Sequence, residues 1–264
     1  MAETTPSGKV VLAGAGPGDP ELITLKLMQR LQEADVIITD RLVHPAILKT
    51  HARPEARIIR AGKQGYNQQS YTQEEVTALL VQEALQGKNV LRLKGGDVAF
   101  FSNVLDELFA LEQHGIPFEI VPGVTAASGA SAYTGIPLTA RGYAQGVRFI
   151  AYNPDQQYDT TTWVSLAVST ETLVIYMAGK TLLGFARQLL DNGADPGKPV
   201  AVIEQASTLA QQTHFSELGT VQQDFKEKEF SSPSLVIMGD VLRLQGRFSW
   251  FRGGEQGTVF PGPV

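Results

Sequence analysis

Cysteine is absent from the 264-residue chain. That removes disulfides, thiolate nucleophiles and thiolate metal sites in one step. Histidine is scarce: His44, His51, His114 and His214 are scattered, and none forms the i,i+3 or i,i+4 pair of a helix-borne metal site. No metal is expected. No apolar run approaches the ~18 residues needed to span a bilayer. The N-terminus MAETTPSGK lacks the charged-then-apolar layout of a signal peptide. A cytoplasmic protein with no membrane partner is the expectation. Excess positive charge is missing too. With 22 Lys and Arg against 27 Asp and Glu, the net charge of −5 gives nonspecific nucleic-acid binding no global support, and no nucleic-acid partner is expected.

What is present is ordinary for a globular enzyme, with 43% hydrophobic and 19% charged residues and enough length for one or two domains. Strand-like runs at 9–13, 35–39, 89–93 and 117–121 alternate with helical patterns at 20–34, 73–86 and 102–114. This rhythm predicts an α/β fold with a mostly parallel, wound sheet. Asp19 and Pro20 suit the N-cap and first turn of the helix at 20–34. Small residues fill 121–138, which suits close packing against core backbone or against a ligand. The Gly- and Pro-containing stretch 135–146 reads as an interdomain connection. The second half restarts the rhythm with strands at 147–152, 172–177, 198–204 and 233–240 and a helix at 181–191. Domains are therefore expected at 1–139 and 140–251, with 252–264 a flexible tail.

Three glycine-containing loops follow strands in the first half: GAGPGDP (14–20), AGKQGY (61–66) and KGGD (94–97). In a parallel sheet such loops share one edge and can converge on one cleft. Arg60/Lys63 and Arg92/Lys94 flank glycines there, so a local anion site is conceivable. The first loop resembles a dinucleotide fingerprint, and Asp40, at the end of the second strand, has the spacing of a ribose-binding acid. Against that, Asp19 occupies the third glycine position and Pro17 stiffens the turn. These residues alone imply a nucleotide-like ligand and leave its identity open.

A longer series narrows the choice. GAGPGDPELITLK, DVIITDRLV, AGKQGY, VLRLKGGD, EIVPGVTAASGASAYTGIPLTARGYA, TLVIYMAG, PVAVIE and PSLVIMGDVLRL occur in this order. Together they resemble the uroporphyrinogen-III C-methyltransferases of the S-adenosylmethionine-dependent tetrapyrrole methylase superfamily, over about Gly8 to Phe251. The resemblance implies two α/β domains of the tetrapyrrole methylase type, with the cofactor cleft between them, in a homodimer. It implies C-methylation of uroporphyrinogen III on two pyrrole rings, through precorrin-1 to precorrin-2, feeding siroheme or cobalamin synthesis. Cofactor-binding positions carried over are Pro17, Gly95, Gly96, Asp97, Phe100, Thr125, Ala126, Met177 and Ala206, the last where relatives often have glycine. Asp97 would accept hydrogen bonds from ribose hydroxyls. Asp40 matches the proposed proton acceptor and Lys63 the proposed proton donor, while Arg141 would grip a substrate carboxylate. No dehydrogenase-chelatase module, fused to some relatives, is expected in a chain of this length.

Two positions depart from the pattern. Asn103 stands where relatives carry arginine, and Ala140 where they carry histidine. Both bear on the substrate more than on the cofactor. They keep open a sister methylase acting on a later corrin precursor. A nicotinamide-dependent oxidoreductase and a non-catalytic tetrapyrrole-binding protein are the rivals from other classes.

Overall fold

The computed structural model describes residues 8–61, 71–255 and 257–260. The chain forms two compact units, Met1–Ala126 with Val259–Val264, and Ala127–Thr258. The fold is α/β, with one five-stranded sheet in each unit.

In the first unit the strands are β1 (Val10–Gly14), β2 (Val36–Thr39), β3 (Arg57–Arg60), β4 (Val90–Lys94) and β5 (Phe118–Val121), in spatial order β3-β2-β4-β1-β5. All pairings are parallel, for example Val10 with Val90 and Thr39 with Leu93. β1, β2 and β4 are buried along their whole lengths, as expected of near-continuous apolar runs inside a parallel sheet. Helices α1 (Leu25–Glu33) and α2 (Pro45–His51) cover one face through Leu27, Leu31, Ile47 and Leu48. Helices α3 (Gln73–Leu85) and α4 (Val104–Gln113) cover the other through Val76, Leu80 and Leu111.

The helix expected at 20–34 is broken. Asp19 accepts from the Glu21 N–H at 2.8 Å and caps only a single 3₁₀ turn, Pro20–Leu22. Ile23 is extended, and Thr24 then caps α1 by accepting from Leu27 N–H at 3.1 Å. At α3 the sequence carries a full capping box, with Thr72 and Glu75 each bonding the other's backbone N–H at 3.2 and 2.7 Å.

The second unit holds β6 (Val147–Ala151), β7 (Thr172–Tyr176), β8 (Pro199–Glu204), β9 (Gln212–Glu217) and β10 (Ser234–Met238), in spatial order β6-β7-β10-β8-β9. The parallel rhythm does not restart as expected. Only β6 and β7 are parallel, β10 inserts antiparallel to both β7 and β8, and β8 and β9 pair antiparallel. Helices α6 (Thr160–Ala167), α7 (Leu182–Asp191) and α8 (Val221–Phe225) pack on one face around Trp163, Phe185 and Phe225. The small-residue helix α5 (Ala126–Thr134) packs on the other through Ala127 and Ala130.

That packing moves the boundary from residue 139 to Ala126, because α5 buries its small face on the second sheet. The stretch 135–146 is not a linker. Ile136 and Ala144 join the same core, and Leu138 O accepts from Thr172 Oγ1 at 2.7 Å. The expected flexible tail is tethered in its described part. Gly254 and Glu255 donate to Leu209 O, both at 3.0 Å, Gln205 Nε2 donates to Gly257 O at 3.1 Å, and Phe260 is 1% exposed. Among the described residues no helix is long and apolar enough to cross a membrane.

Candidate functional site

Because the first sheet is parallel, the loops that leave β1, β2, β4 and β5 all lie at one edge. β1 leads to a helix on one face and the neighbouring β4 to a helix on the other. Adjacent strands that diverge in this way open a crevice at their carboxyl ends. GAGPGDP and KGGD flank it.

The two loops are zipped together through backbone. Ala15 N–H donates to Lys94 O at 2.8 Å, Gly16 N–H to Gly96 O at 3.0 Å, and Gly96 N–H back to Gly16 O at 2.8 Å. Gly16 and Gly96 adopt φ of +82° and +69°, where a side chain would be strained. Gly123, after β5, closes on the same point. A Cβ on Gly123 would lie 2.3 Å from Gly96 O, and one on Gly14 would lie 2.5 Å from the same oxygen. The glycines are there so that three backbones can touch. A dinucleotide cradle needs a helix N-terminus directly behind the turn. Here the first α-helical residue is Leu25, so the nicotinamide rival loses its structural basis.

Asp97 has a structural task besides the expected ligand contact. It is 7% exposed, and both carboxylate oxygens are committed to backbone: Oδ1 accepts from Ala99 N–H and Oδ2 from Gly123 N–H, each at 2.7 Å. It ties the β4 loop to the β5 loop. Asp40 follows β2 and is half-buried; its Oδ1 accepts from Leu42 N–H at 2.9 Å and its Oδ2 from Gly95 N–H at 3.3 Å. Those bonds hold its carboxylate beside the Gly95–Gly96 segment. Pro17 is buried in the first turn, whereas Gly95, Gly96, Thr125 and Ala126 are half-buried at the edge. A Cβ on Gly96 would meet nothing closer than Ala126 N at 3.9 Å. Phe100 is 36% exposed. Pro17, Asp40, Gly95, Gly96, Asp97, Phe100, Thr125 and Ala126 thus share one sheet edge. Lys63 lies outside the described residues.

The anion site conceived at Arg92/Lys94 is not available. Both side chains are buried and bound to Glu107, which has no solvent exposure: Arg92 Nε donates to Oε1 and Lys94 Nζ to Oε2, each at 2.9 Å. Burial pushes the Lys94 ammonium below its ordinary range despite that carboxylate. These cations hold α4 to β4.

In the second unit β7 and β8 both run antiparallel to β10, so their carboxyl ends share an edge. Met177 stands after β7, 65% exposed, with φ of +59°. Ala206 stands after β8, 7% exposed, between Gln205 and Ser207 at φ of +46° and +63°. Arg141 belongs to a separate turn, 140–144; it is exposed and has no hydrogen bond or ion pair among the described residues.

Backbone strain marks Asn103 and Met177, which the sequence had already singled out, and three loop residues that it had not, Phe101, Gln205 and Ser207. Among the described residues the non-glycine positions at positive φ are Phe101, Asn103, Met177, Gln205 and Ser207, all in loops at the carboxyl ends of β4, β7 and β8. Each such residue costs on the order of 1–2 kcal/mol, and such costs concentrate at functional sites. Only Asn103 carried a signal, since asparagine tolerates this region.

Residues 9–222 match the sequence profile of the Tetrapyrrole (Corrin/Porphyrin) Methylases. A siroheme synthase of Pseudomonas paraeruginosa is 42% identical over 252 residues, covering 96% of this chain and 54% of that protein. The chain therefore spans about half the length of the curated relatives it matches. A crystal structure of uroporphyrin-III-C-methyltransferase from Thermus thermophilus superposes with a TM-score of 0.76 at 32% identity, covering 94% of this chain and 99% of that one. The Thermus thermophilus enzyme complexed with S-adenosylhomocysteine gives a TM-score of 0.75 at 36% identity, covering 90% of this chain and all of that one. The chain belongs to the tetrapyrrole (corrin/porphyrin) methylases.

Proposed function

We propose that this chain transfers methyl groups from S-adenosylmethionine to two pyrrole carbons of uroporphyrinogen III, giving precorrin-2 through precorrin-1 for siroheme or cobalamin synthesis. The observation that carries the reading is the likeness to a uroporphyrin-III-C-methyltransferase solved with S-adenosylhomocysteine, over nearly the whole of both chains. The residues present suit that cofactor. In the first unit Gly95, Gly96, Thr125 and Ala126 offer half-exposed positions, where a Cβ on Gly96 would meet only Ala126 N at 3.9 Å; in the second, Met177 offers an exposed thioether at the sheet edge that also carries Ala206. When bound, S-adenosylmethionine supplies an electrophilic methyl group.

The chain's own residues then have distinct tasks. Asp40, aimed by the Leu42 and Gly95 N–H groups, stabilises positive charge developing on the pyrrole and accepts the proton from the methylated carbon. Pro17 and Phe100 flank the cofactor at the same edge. Asp97 serves it indirectly, by fixing Gly95–Gly96 against Gly123. Lys63 returns a proton or anchors a substrate carboxylate, and Arg141, with no partner among the described residues, grips another bidentately. The proposal extends to a cytoplasmic homodimer.

Asn103 and Ala140 favour one second reading, a sister methylase acting on a later corrin precursor, because the resemblance places an arginine and a histidine at those two positions and this chain carries neither. Uroporphyrinogen III and methyl-labelled S-adenosylmethionine separate the two. Label in the tetrapyrrole supports the first reading. Binding of S-adenosylhomocysteine without labelling of uroporphyrinogen III supports the second. Asp40→Asn should keep S-adenosylhomocysteine affinity while turnover falls by about 10²–10⁴-fold.

A further inference from the structure

Two residues at positive φ flank Ala206, Gln205 at +46° and Ser207 at +63°. The turn 205–211 that they begin is buried except at its tip, Leu209. Strained backbone persists only where its surroundings over-determine it. Part of that constraint is local. Thr208 Oγ1 donates to Gln205 O, and Ser207 N–H donates to the side-chain oxygen of Gln211, both at 2.8 Å. The rest comes from far along the chain. Gly254 and Glu255 N–H both donate to Leu209 O at 3.0 Å, and Gln205 Nε2 donates to Gly257 O at 3.1 Å. Gly253 lies so close to the turn that a Cβ on it would stand 2.8 Å from Gln211 O. One stretch, 253–257, thus meets the start, the tip and the end of the turn. Its described residues form no helix or strand of their own. Just before it, Trp250 Nε1 donates to Ala132 O at 2.7 Å and the Phe251 ring meets Tyr133 edge-on, 4.7 Å between centroids, which anchors its near end on α5.

We propose that residues 253–257 are a positioning element of the cofactor site, a strap that fixes the turn presenting Ala206 to S-adenosylmethionine. This rests on the proposed function in placing the cofactor against Ala206, and it goes beyond it in giving a segment about 50 residues further along the chain a task there. Docking of the strap and binding of the cofactor are then linked. A strap that raises cofactor affinity by some factor is itself held more firmly, by the same factor, once the cofactor is bound.

Gly253→Val tests the strap at an exposed position. The φ of Gly253 is not positive, so valine adds bulk against Gln211 O without left-handed strain. If lifting the strap leaves the turn correctly set in about a tenth of molecules, the S-adenosylhomocysteine Kd read by calorimetry rises about tenfold. The KM for S-adenosylmethionine should rise alike, while kcat at saturating cofactor and the Kd for uroporphyrin III, read by tetrapyrrole fluorescence, should hold. A general loosening of the fold would move all of them. Glu255→Pro, which deletes one donor to Leu209 O, should raise the S-adenosylhomocysteine Kd about threefold. In the wild type, saturating S-adenosylhomocysteine should slow hydrogen exchange at the Gly254 and Glu255 amides about tenfold. Wild-type S-adenosylhomocysteine affinity in Gly253→Val overturns the inference, as it does in Glu255→Pro should the valine variant fail to fold. So does exchange at those amides that S-adenosylhomocysteine leaves unaltered, or an equal loss of uroporphyrin III affinity. Wild-type protein that binds no S-adenosylhomocysteine overturns instead the proposed function on which the strap rests.

Discussion

Replacing Asp97 with alanine tests whether the carboxylate is a strut or a ligand contact. It accepts from Ala99 N–H and Gly123 N–H at 2.7 Å and is 7% exposed, so truncation strands two donors in a mostly dry turn. Hydrogen bonds to a charged group contribute roughly 1.5–3 kcal/mol each. Relaxation of the loop and entry of water place the loss near the lower end for the pair, about 3 kcal/mol. At about 2–4 °C per kcal/mol for a chain of this size, the melting temperature should fall by about 6–12 °C. Asp97→Asn should fall about half as far, because its carbonyl oxygen can still serve Ala99 while its amide faces the Gly123 N–H without an acceptor. Thermal unfolding followed by circular dichroism, without cofactor, gives the ranking wild type, Asn, Ala. S-adenosylhomocysteine affinity should fall as well, since the strut sets the Gly95–Gly96 backbone. Wild-type melting in Asp97→Ala together with lost cofactor affinity would refute the strut and restore the ribose contact.

Gly123→Ala should be destabilising by about 1–3 kcal/mol or more, because the new methyl group would meet backbone that has no room to yield; chemical denaturation reads it, and wild-type stability would contradict the three-loop contact. Glu119 is held well below its ordinary 4.5 by Arg30, Lys26 and Lys9, so its stabilisation is complete above 4.5 and is lost progressively as pH falls from there toward the depressed value. Glu119→Gln should therefore melt lower than wild type at neutral pH, with the gap closing below pH ~4.5; a constant gap would show that charge is not the cause. Truncation after Phe251 should lower the melting temperature, since removing the buried Phe260 forfeits about 1.5–3 kcal/mol of apolar burial; an unchanged melting temperature would show that the tail's contacts contribute nothing.

The sequence displays the first sheet because β1, β2 and β4 are continuous apolar runs, and it displays α3 because Thr72 and Glu75 stand at capping-box spacing. Edge strands were harder. RIIR of β3 and QTHFSE of β9 are largely exposed and lack the apolar signature. The direction of β10 was not legible, since a strand buried along its length reads the same parallel or antiparallel. Pro20 and Ile23 continued a helical pattern that the extended Ile23 interrupts; Thr24, a second cap signal, marked the true start. Arg92 and Lys94 looked like ligand cations because their partner Glu107 arrives through tertiary packing of α4 on β4, which no local pattern reveals. The backbone bonds of Asp97 were not legible for a related reason: its partners are N–H groups, which leave no mark in a sequence. The ordered motifs from GAGPGD to PSLVIMGD identified the family where composition and periodicity left the ligand open.

Mass spectrometry of the tetrapyrrole product tests the central claim most directly. Purified protein is incubated anaerobically with enzymatically generated uroporphyrinogen III and S-adenosylmethionine carrying a deuterated methyl group. The account predicts a product that carries two labelled methyl groups, preceded in time by a singly labelled species, with neither formed by Asp40→Asn at the wild-type rate. Unlabelled uroporphyrinogen III recovered from protein that binds S-adenosylhomocysteine would contradict it.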